Sequence, residues 1–382
     1  MSRKVYLDNS ATTAADNDVV EAVTSVLTKN YGNPSSVHRL GIKAEKIVEK
    51  ARKELADHLR VNKKEIIFTS GGTESNNLAV QGITKSYSNR GRKIITTEIE
   101  HPSVRNIFLA LEKEGWNVVW LKSNQKGYID IEQLENSLDE ETVLVSIMQV
   151  NNELGSVQNI EKIGKIIKKI NPLCFFHVDG IQGFGKVFTD LKKSKVDLYS
   201  ISGHKFHAPK GIGALYIRKN IELKPLFFGG TQENGIRSGT ENTPGIAGLI
   251  PAVKKLPILS KNTNNDPVLN RKKNYLYQSL SKIKDVVINS PEQGAPHILN
   301  FSVPGIRGET LLHALEAEGV FLSTGYACSS KSKENKILKA VGLNRKTRDS
   351  ALRISLNKNI SRDDLDYTLE VLKKQIDFLK IF

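Results

Sequence analysis

The chain has 382 residues, 39% of them hydrophobic and 25% charged, with a formal net charge of +15. That length gives a large core and room for two domains, and the composition suits an ordinary soluble protein. The opening "MSRKVYLDNSATT" lacks the apolar stretch of a signal peptide, and no window approaches the roughly 18 apolar residues of a membrane span. A cytoplasmic protein with no membrane association is expected.

Residues 15 to 60 read as helical, with apolar residues at helical spacing over Asp18 to Leu27 and Ala44 to Leu59. Strands and helices then alternate. "EIIFT" (65 to 69) is a strand and "ESNNLAVQGITKSY" a helix; "KIITTEI" is a strand and "VRNIFLALEKEG" a helix. "NVVWLK" and "TVLVSIMQV" are strands, "IEKIGKIIKKI" a helix, and "LCFFHVD", "VDLYSISG" and "GIGALYIR" strands. Such alternation implies an α/β fold with a mostly parallel sheet covered by helices on both faces. After about residue 255 comes a polar, proline-punctuated connection, "LPILSKNTNNDPVLNRKK". The helix "NYLYQSLSKI", "HILNFSV", the helix "GETLLHALEAEG", "ALRISL" and a long terminal helix follow, reading as a smaller α+β unit. The expected division is a large domain over 15–257 and a small one from 1–14 with 258–382. No internal repeat or low-complexity tract is visible.

The two cysteines keep different company. Cys174, in "PLCFFHVDG", reads as a small core residue of a strand. Cys328, in "STGYACSSKSKENK", lies among small polar residues and lysines, a loop composition suited to a reactive thiol. With eight histidines the two show no ligand spacing, so no metal site is expected. Basic clusters such as "GKIIKKI", "LKKSK", "NRKK" and "KSKENKILK" favour acidic partners. No nucleic-acid-binding motif accompanies them, so direct binding of that kind is not expected.

In α/β sheets ligands bind at the carboxyl ends of strands. After "EIIFT" comes "SGGTESNN", where Gly71, Gly72 and Thr73 open a helix whose bare amides can hold a phosphate. After later strands come His101, then Asn151, Asn152 and Glu153, then Asp179 and Gln182. After "VDLYSIS" comes "GHKFHAPKG", with Ser202, His204 and Lys205. A lysine to carry the cofactor, a buried acid for a ring nitrogen and a phosphate cradle together fit pyridoxal phosphate. Desolvation would favour the neutral amine of Lys205, and Asp179 would keep the ring nitrogen protonated. Thr73, Ser202 and His204 can bind the phosphate, and His101 can stack on the ring. Lys210 is the rival lysine, although "PKGIGAL" reads as a turn into the next strand.

The chain also resembles the cysteine desulfurases of the nitrogen-fixation and iron–sulfur-cluster type, in the class V branch of the fold-type I pyridoxal phosphate enzymes. "YLDNSATT", "GNPSSVHRLG", "FTSGGTESNNLA", "EHPSV", "VNNELGSVQ", "HVDGIQGFGK", "SGHKFHAPKGIGALYIR", "GIRSGTEN" and "STGYACSS" carry it, in the family's order across nearly the whole chain. The resemblance implies that Lys205 carries the cofactor, Asp179 pairs with the ring nitrogen and Gln182 meets the phenolic oxygen. It implies that His101 stacks and moves protons, and that Gly72, Thr73, Ser202 and His204 take the phosphate. Thr240 would reach the phosphate of a neighbouring subunit, making a homodimer. Asn33, Asn152 and Arg353 would hold the substrate carboxylate. Cys328, on a loop at about 323–338, would take sulfur from L-cysteine as a persulfide, releasing alanine. An acidic acceptor, either an iron–sulfur scaffold or a tRNA thiolation enzyme, would then receive it. A selenocysteine lyase or a class V aminotransferase is the alternative on the same scaffold, and the placement of Cys328 weighs against both. Two positions depart from the family pattern: Tyr326 in place of a serine, and Gly180 in place of an alanine or similar small residue. Lys331, Lys333 and Lys336 crowd Cys328 and are expected to favour its thiolate and to attract the acceptor.

Overall fold

In the computed structural model, which describes residues 3–325 and 335–381, twelve strands and their helices follow the hydrophobic pattern closely. The strands are β1 (Val5–Tyr6), β2 (Ile66–Thr69), β3 (Lys93–Thr97), β4 (Asn117–Leu121), β5 (Thr142–Met148) and β6 (Phe175–Asp179). They continue as β7 (Leu198–Ser202), β8 (Gly213–Ile217), β9 (Val287–Ile288), β10 (Ile298–Ser302), β11 (Val320–Phe321) and β12 (Ala351–Ser355). Seven form one sheet in the order β2-β8-β7-β6-β5-β3-β4. Only β8 runs against its neighbours, β2 and β7; the remaining pairs are parallel. β5 is buried at every residue, as its unbroken run "TVLVSIM" requires of a strand covered on both faces. Apolar clusters on the two faces hold helices such as Arg39–Leu59 and Ile160–Ile170 on one side and Gly72–Ser86 and Pro102–Lys113 on the other.

A second core gathers under the three-stranded antiparallel sheet β12-β10-β9 and the helices Pro267–Leu280, Gly308–Ala317 and Arg362–Leu379. The N-terminal strand belongs to it: β1 pairs in parallel with β11, and Val5 and Leu7 lie in this core. The chain then crosses to the large sheet.

The helical reading of residues 15 to 60 resolves into two helices, Asn17–Thr28 and Arg39–Leu59. Between them "KNYGNPSSVH" carries a glycine and a proline that cannot sustain helical hydrogen bonding. The helix Thr243–Lys254 is hidden in the sequence by Pro244, Gly245, Gly248 and Pro251. It forms because it packs on both N-terminal helices, and a Cβ at Gly248 would lie 2.7 Å from Pro209 Cγ. The turn Gln232–Gly235 holds Glu233 and Asn234 in left-handed backbone. The buried Glu233 carboxylate fixes it by accepting both arms of the Arg52 guanidinium, at 2.7 and 2.8 Å, and the Phe68 amide at 3.0 Å. Gly180, the departure noted above, has a physical reason. A Cβ there would sit 2.0 Å from the ring of the fully buried Tyr199, whose hydroxyl donates to Gln149 at 2.6 Å.

Candidate active site

The carboxyl ends of β2, β3, β5, β6 and β7 lie along one edge of the large sheet, because all five point the same way. Each delivers one group named from the sequence. β6 ends on Asp179, which is 4% exposed. Asn76 Nδ2 donates to its Oδ2 at 2.9 Å and the Ile181 amide to its Oδ1 at 3.0 Å. Burial pushes this carboxyl up, and His101 opposes that push. His101 follows β3 and caps the helix Pro102–Lys113: its Nδ1 accepts from the Ser103 amide at 3.1 Å. Burial pulls the imidazole below its ordinary value, so it is neutral at physiological pH, with Asp179 acting against the shift.

Lys205 ends the short turn after β7. Its Nζ donates to the backbone carbonyls of Ser10 at 2.7 Å and Ala11 at 2.8 Å. Gln182 Nε2 donates to the same Ser10 carbonyl at 3.0 Å, so lysine and glutamine converge on the N-terminal crossing. His204 Nδ1 pairs with Thr12 Oγ1 at 3.1 Å. Burial first, then the charges of Lys205, Lys210 and Lys186, press this imidazole down to about 4. The helix Gly72–Ser86 begins beside β7, with Thr73 exposed in its first turn. A Cβ at Gly72 would lie 2.2 Å from Ile181 Cδ1 and 3.3 Å from Ser202 Cβ, so only glycine lets this helix start so close to the sheet. Lys210, the rival lysine, follows in the turn ahead of β8.

Arg353, on β12, comes from the smaller sheet and is 5% exposed. Its guanidinium is well occupied. Nη1 donates to the Asn152 carbonyl at 2.9 Å and to Glu153 Oε1 at 3.1 Å, and Nη2 to Asp8 Oδ1 at 2.9 Å. Asn152 Nδ2 donates to the same Glu153 oxygen at 2.9 Å. Asn152 and Arg353 therefore lie together. Asn33 is exposed between the first two helices and makes a local contact, accepting from the Ser35 amide at 2.9 Å. Thr240 is exposed and lines a small cavity with Thr69, Ser70 and Arg237. Cys328, Tyr326, Lys331 and Lys333 lie outside the described residues; Lys336 opens a short helix and is exposed. Cys174 is fully buried, and burial drives its thiol up to about 12.

Three features escaped the sequence reading. Backbone carbonyls such as those of Ser10 and Ala11 leave no signal in a sequence. Glu153 stood out in "NNELG", but its partners Asp8 and Arg353 are distant in the chain. Lys186, in "GFGK", has no role in the sequence reading; it is buried, lines a cavity with Lys205 and Asp266, and is pushed down to about 7 by burial.

An edge of this kind belongs to α/β enzymes that work through pyridoxal phosphate. This chain is a member of the class V aminotransferase family, whose model, "Aminotransferase class-V", matches residues 5–368. It is 40% identical to cysteine desulfurase IscS of Clostridium botulinum over 380 residues, 98% of this chain and 95% of that protein. It is 41% identical to a cysteine desulfurase of a Nostoc species over 378 residues, 98% of this chain and 94% of that one. Among solved structures, a NifS-like protein superimposes with a TM-score of 0.91 at 38% identity, covering 98% of this chain and 100% of that one. SspA in complex with cysteine gives 0.82 at 33% identity, covering 92% and 99%. The family is pyridoxal phosphate dependent, and the residues present fit that group. Ser10 Oγ, Asn76 Oδ1 and Asn152 Oδ1 are buried without a hydrogen-bond partner among the described residues, and the glycine-opened helix leaves a cradle that a Cβ would fill. No described helix is long and apolar enough to cross a membrane.

Proposed function

We propose that this chain is a cysteine desulfurase that moves the sulfur of L-cysteine onto Cys328 and releases L-alanine. The observation that carries the reading is full-length likeness to cysteine desulfurases, joined to the presence of Cys328 in "STGYACSS". Pyridoxal phosphate, when bound, supplies an electron sink for the substrate's α-carbon. Lys205 would carry it through Nζ, the atom that donates to the Ser10 and Ala11 carbonyls. Asp179 keeps the ring nitrogen protonated, Gln182 meets the phenolic oxygen, and His101 stacks on the ring. Gly72, Thr73, Ser202 and His204 take the phosphate, joined by Thr240 of a second copy. His101, neutral because it is buried, can accept a proton. Arg353 and Asn152 hold the substrate carboxylate, and Asn33 contributes to that end of the site. The Cys328 thiolate attacks the substrate sulfur; the carbon–sulfur bond breaks, a sulfur–sulfur bond forms and the carbon takes a proton.

Residues 15–257 form the cofactor-binding unit; 1–14 and 258–382 form the smaller one, which presents Cys328. A homodimer is supported by the exposed apolar side chains of Tyr31, Val37, Phe227 and Phe228. The basic balance supports an acidic acceptor, an iron–sulfur scaffold or a tRNA thiolation enzyme, in the cytoplasm. The test is alanine and sulfide production from L-cysteine with a thiol reductant, in wild type and Cys328→Ala. Product from the wild type alone supports the reading. Equal turnover in both removes Cys328 from the chemistry.

A further inference from the structure

Arg353 is assigned to a substrate carboxylate, yet two protein carboxylates already share its guanidinium. Glu153 is 4% exposed and Arg353 is 5% exposed; the Asp8 side chain, at 20%, reaches the rim. A ligand carboxylate would be the third acid on one cation. Uncompensated charge in a dry site is the costliest arrangement available, and a carboxyl so placed takes a proton before it stays ionised. Solvent reaches the Asp8 side chain. Glu153 cannot be hydrated.

Glu153 also touches more than the arginine. Its Oε2 lies 2.2 Å from where a Cβ at Gly325 would stand, and Asn335 Nδ2 lies 2.7 Å from the same point. Gly325 and Asn335 are the described residues on either side of the segment that contains Cys328. Gly325 has left-handed backbone, with φ of +74°. Asn335 caps the helix Lys336–Ala340 through Oδ1. Ser323, just ahead of Gly325, exchanges backbone hydrogen bonds with Arg353 at 2.6 and 3.2 Å. One carboxyl group thus joins the substrate anchor to both flanks of the nucleophile's segment.

We propose that Glu153 is a proton-accepting positioning residue: a carboxylate ligand arriving at Arg353 brings one proton from solvent onto Glu153, which then remains as a neutral group between Arg353, Asn152, Gly325 and Asn335. This rests on the reading of Arg353 as the substrate's carboxylate anchor. Among the described residues, the charged groups facing Glu153 are Arg353 from β12 and Asp8 from the N-terminal crossing, while Asn152 and Asn335 are neutral. His101 and His297, within electrostatic reach of Arg353, are both kept neutral by burial. Burial pushes the Glu153 carboxyl up even before a ligand arrives, with Arg353 opposing. A third carboxylate pushes it further in the same direction. Ligand binding therefore weakens as pH rises, because the proton becomes scarcer.

The experiment uses holoenzyme and 3-mercaptopropionate, which has the carboxylate and thiol of cysteine but no amine to condense with the cofactor. Calorimetric titration in two buffers of different ionisation enthalpy, between about pH 7 and 9, counts the protons taken up. The wild type is expected to take up roughly one proton per site, and Glu153→Gln close to none. KM for L-cysteine is expected to climb with pH more steeply in the wild type than in the variant, by up to about tenfold per pH unit. Equal uptake in both proteins overturns the proposal. So does zero uptake by the wild type across the range, whether or not the variant folds. Failure of binding by the wild type removes the carboxylate anchor and the proposal with it. The functional reading fails differently: a wild type that takes up the proton yet makes no alanine from L-cysteine would leave this inference standing alone.

Discussion

Glu100, one residue before His101, offers a quantitative test of the electrostatics beneath the site. It is 1% exposed. Its Oε1 accepts from Thr97 Oγ1 at 2.9 Å and from the Met148 amide at 2.9 Å, while Oε2 has no partner among the described residues. Burial, supplemented by the nearby Asp179 charge, raises this carboxyl to about 8 from an ordinary 4.5, against the pull of the Met148 amide. The folded protein therefore holds a proton that the unfolded chain releases. Stability is full below the unfolded value and is lost as pH rises from 4.5 through about 8. At about 1.4 kcal/mol per unit, the loss is about 3 kcal/mol at neutral pH and approaches 5 above the folded value. Glu100→Gln keeps the shape and the accepting oxygen but has no proton to lose. Urea unfolding, followed by the fluorescence of Trp116 and Trp120, should show the variant gaining on the wild type as pH rises from about 5 to 8, then levelling. A difference that stays constant across that range refutes the reasoning.

Three other perturbations follow from geometry. Arg52→Ala strands the Glu233 carboxylate, whose side chain is 2% exposed, and should cost about 3–5 kcal/mol by urea midpoint; pairing it with Glu233→Gln should recover part of the loss. Gly180→Ala drives a methyl into the Tyr199 ring and should destabilise by about 1–3 kcal/mol, read as a fall in Tm. Gly325→Ala meets both a positive φ and the Glu153 carboxylate; it should lower kcat/KM for L-cysteine by about tenfold or more while the visible absorbance of the bound cofactor is retained. Loss of that absorbance instead would mean general misfolding.

The large sheet was legible because its strands are continuous apolar runs, and each run stops at a residue whose chemistry differs from what precedes it. Asp179 stands out on that ground alone, whereas Lys205, three residues past its strand, has Lys210 as a rival and is singled out by the resemblance. The helix Thr243–Lys254 was not legible: its glycines and prolines signal a break, and only close packing against two other helices overrides them. Gly180 looked like an arbitrary departure until Tyr199, on the neighbouring strand, supplied the reason. The occupied state of Arg353 could not be read either. Asp8, Glu153 and Arg353 are brought together by three separate elements, and no local spacing encodes that.

The crossing near the N-terminus bears on how the protein is made. Asn9 and Ser10 leave the ribosome long before Ser355, to which they bond, 346 and 345 positions later in the chain. Ser10 also receives Lys205 and Gln182 through its carbonyl. The large sheet can assemble on a partial chain, since its strands end at Ile217. The pocket wall cannot, because Asn9 and Ser10 wait for β12, which is synthesised long after the strands of that sheet. A nascent or C-terminally shortened chain would thus have the lysine in place with its N-terminal wall only half anchored. Closing this loop of 345 positions joins the pocket's N-terminal wall to the finished sheet.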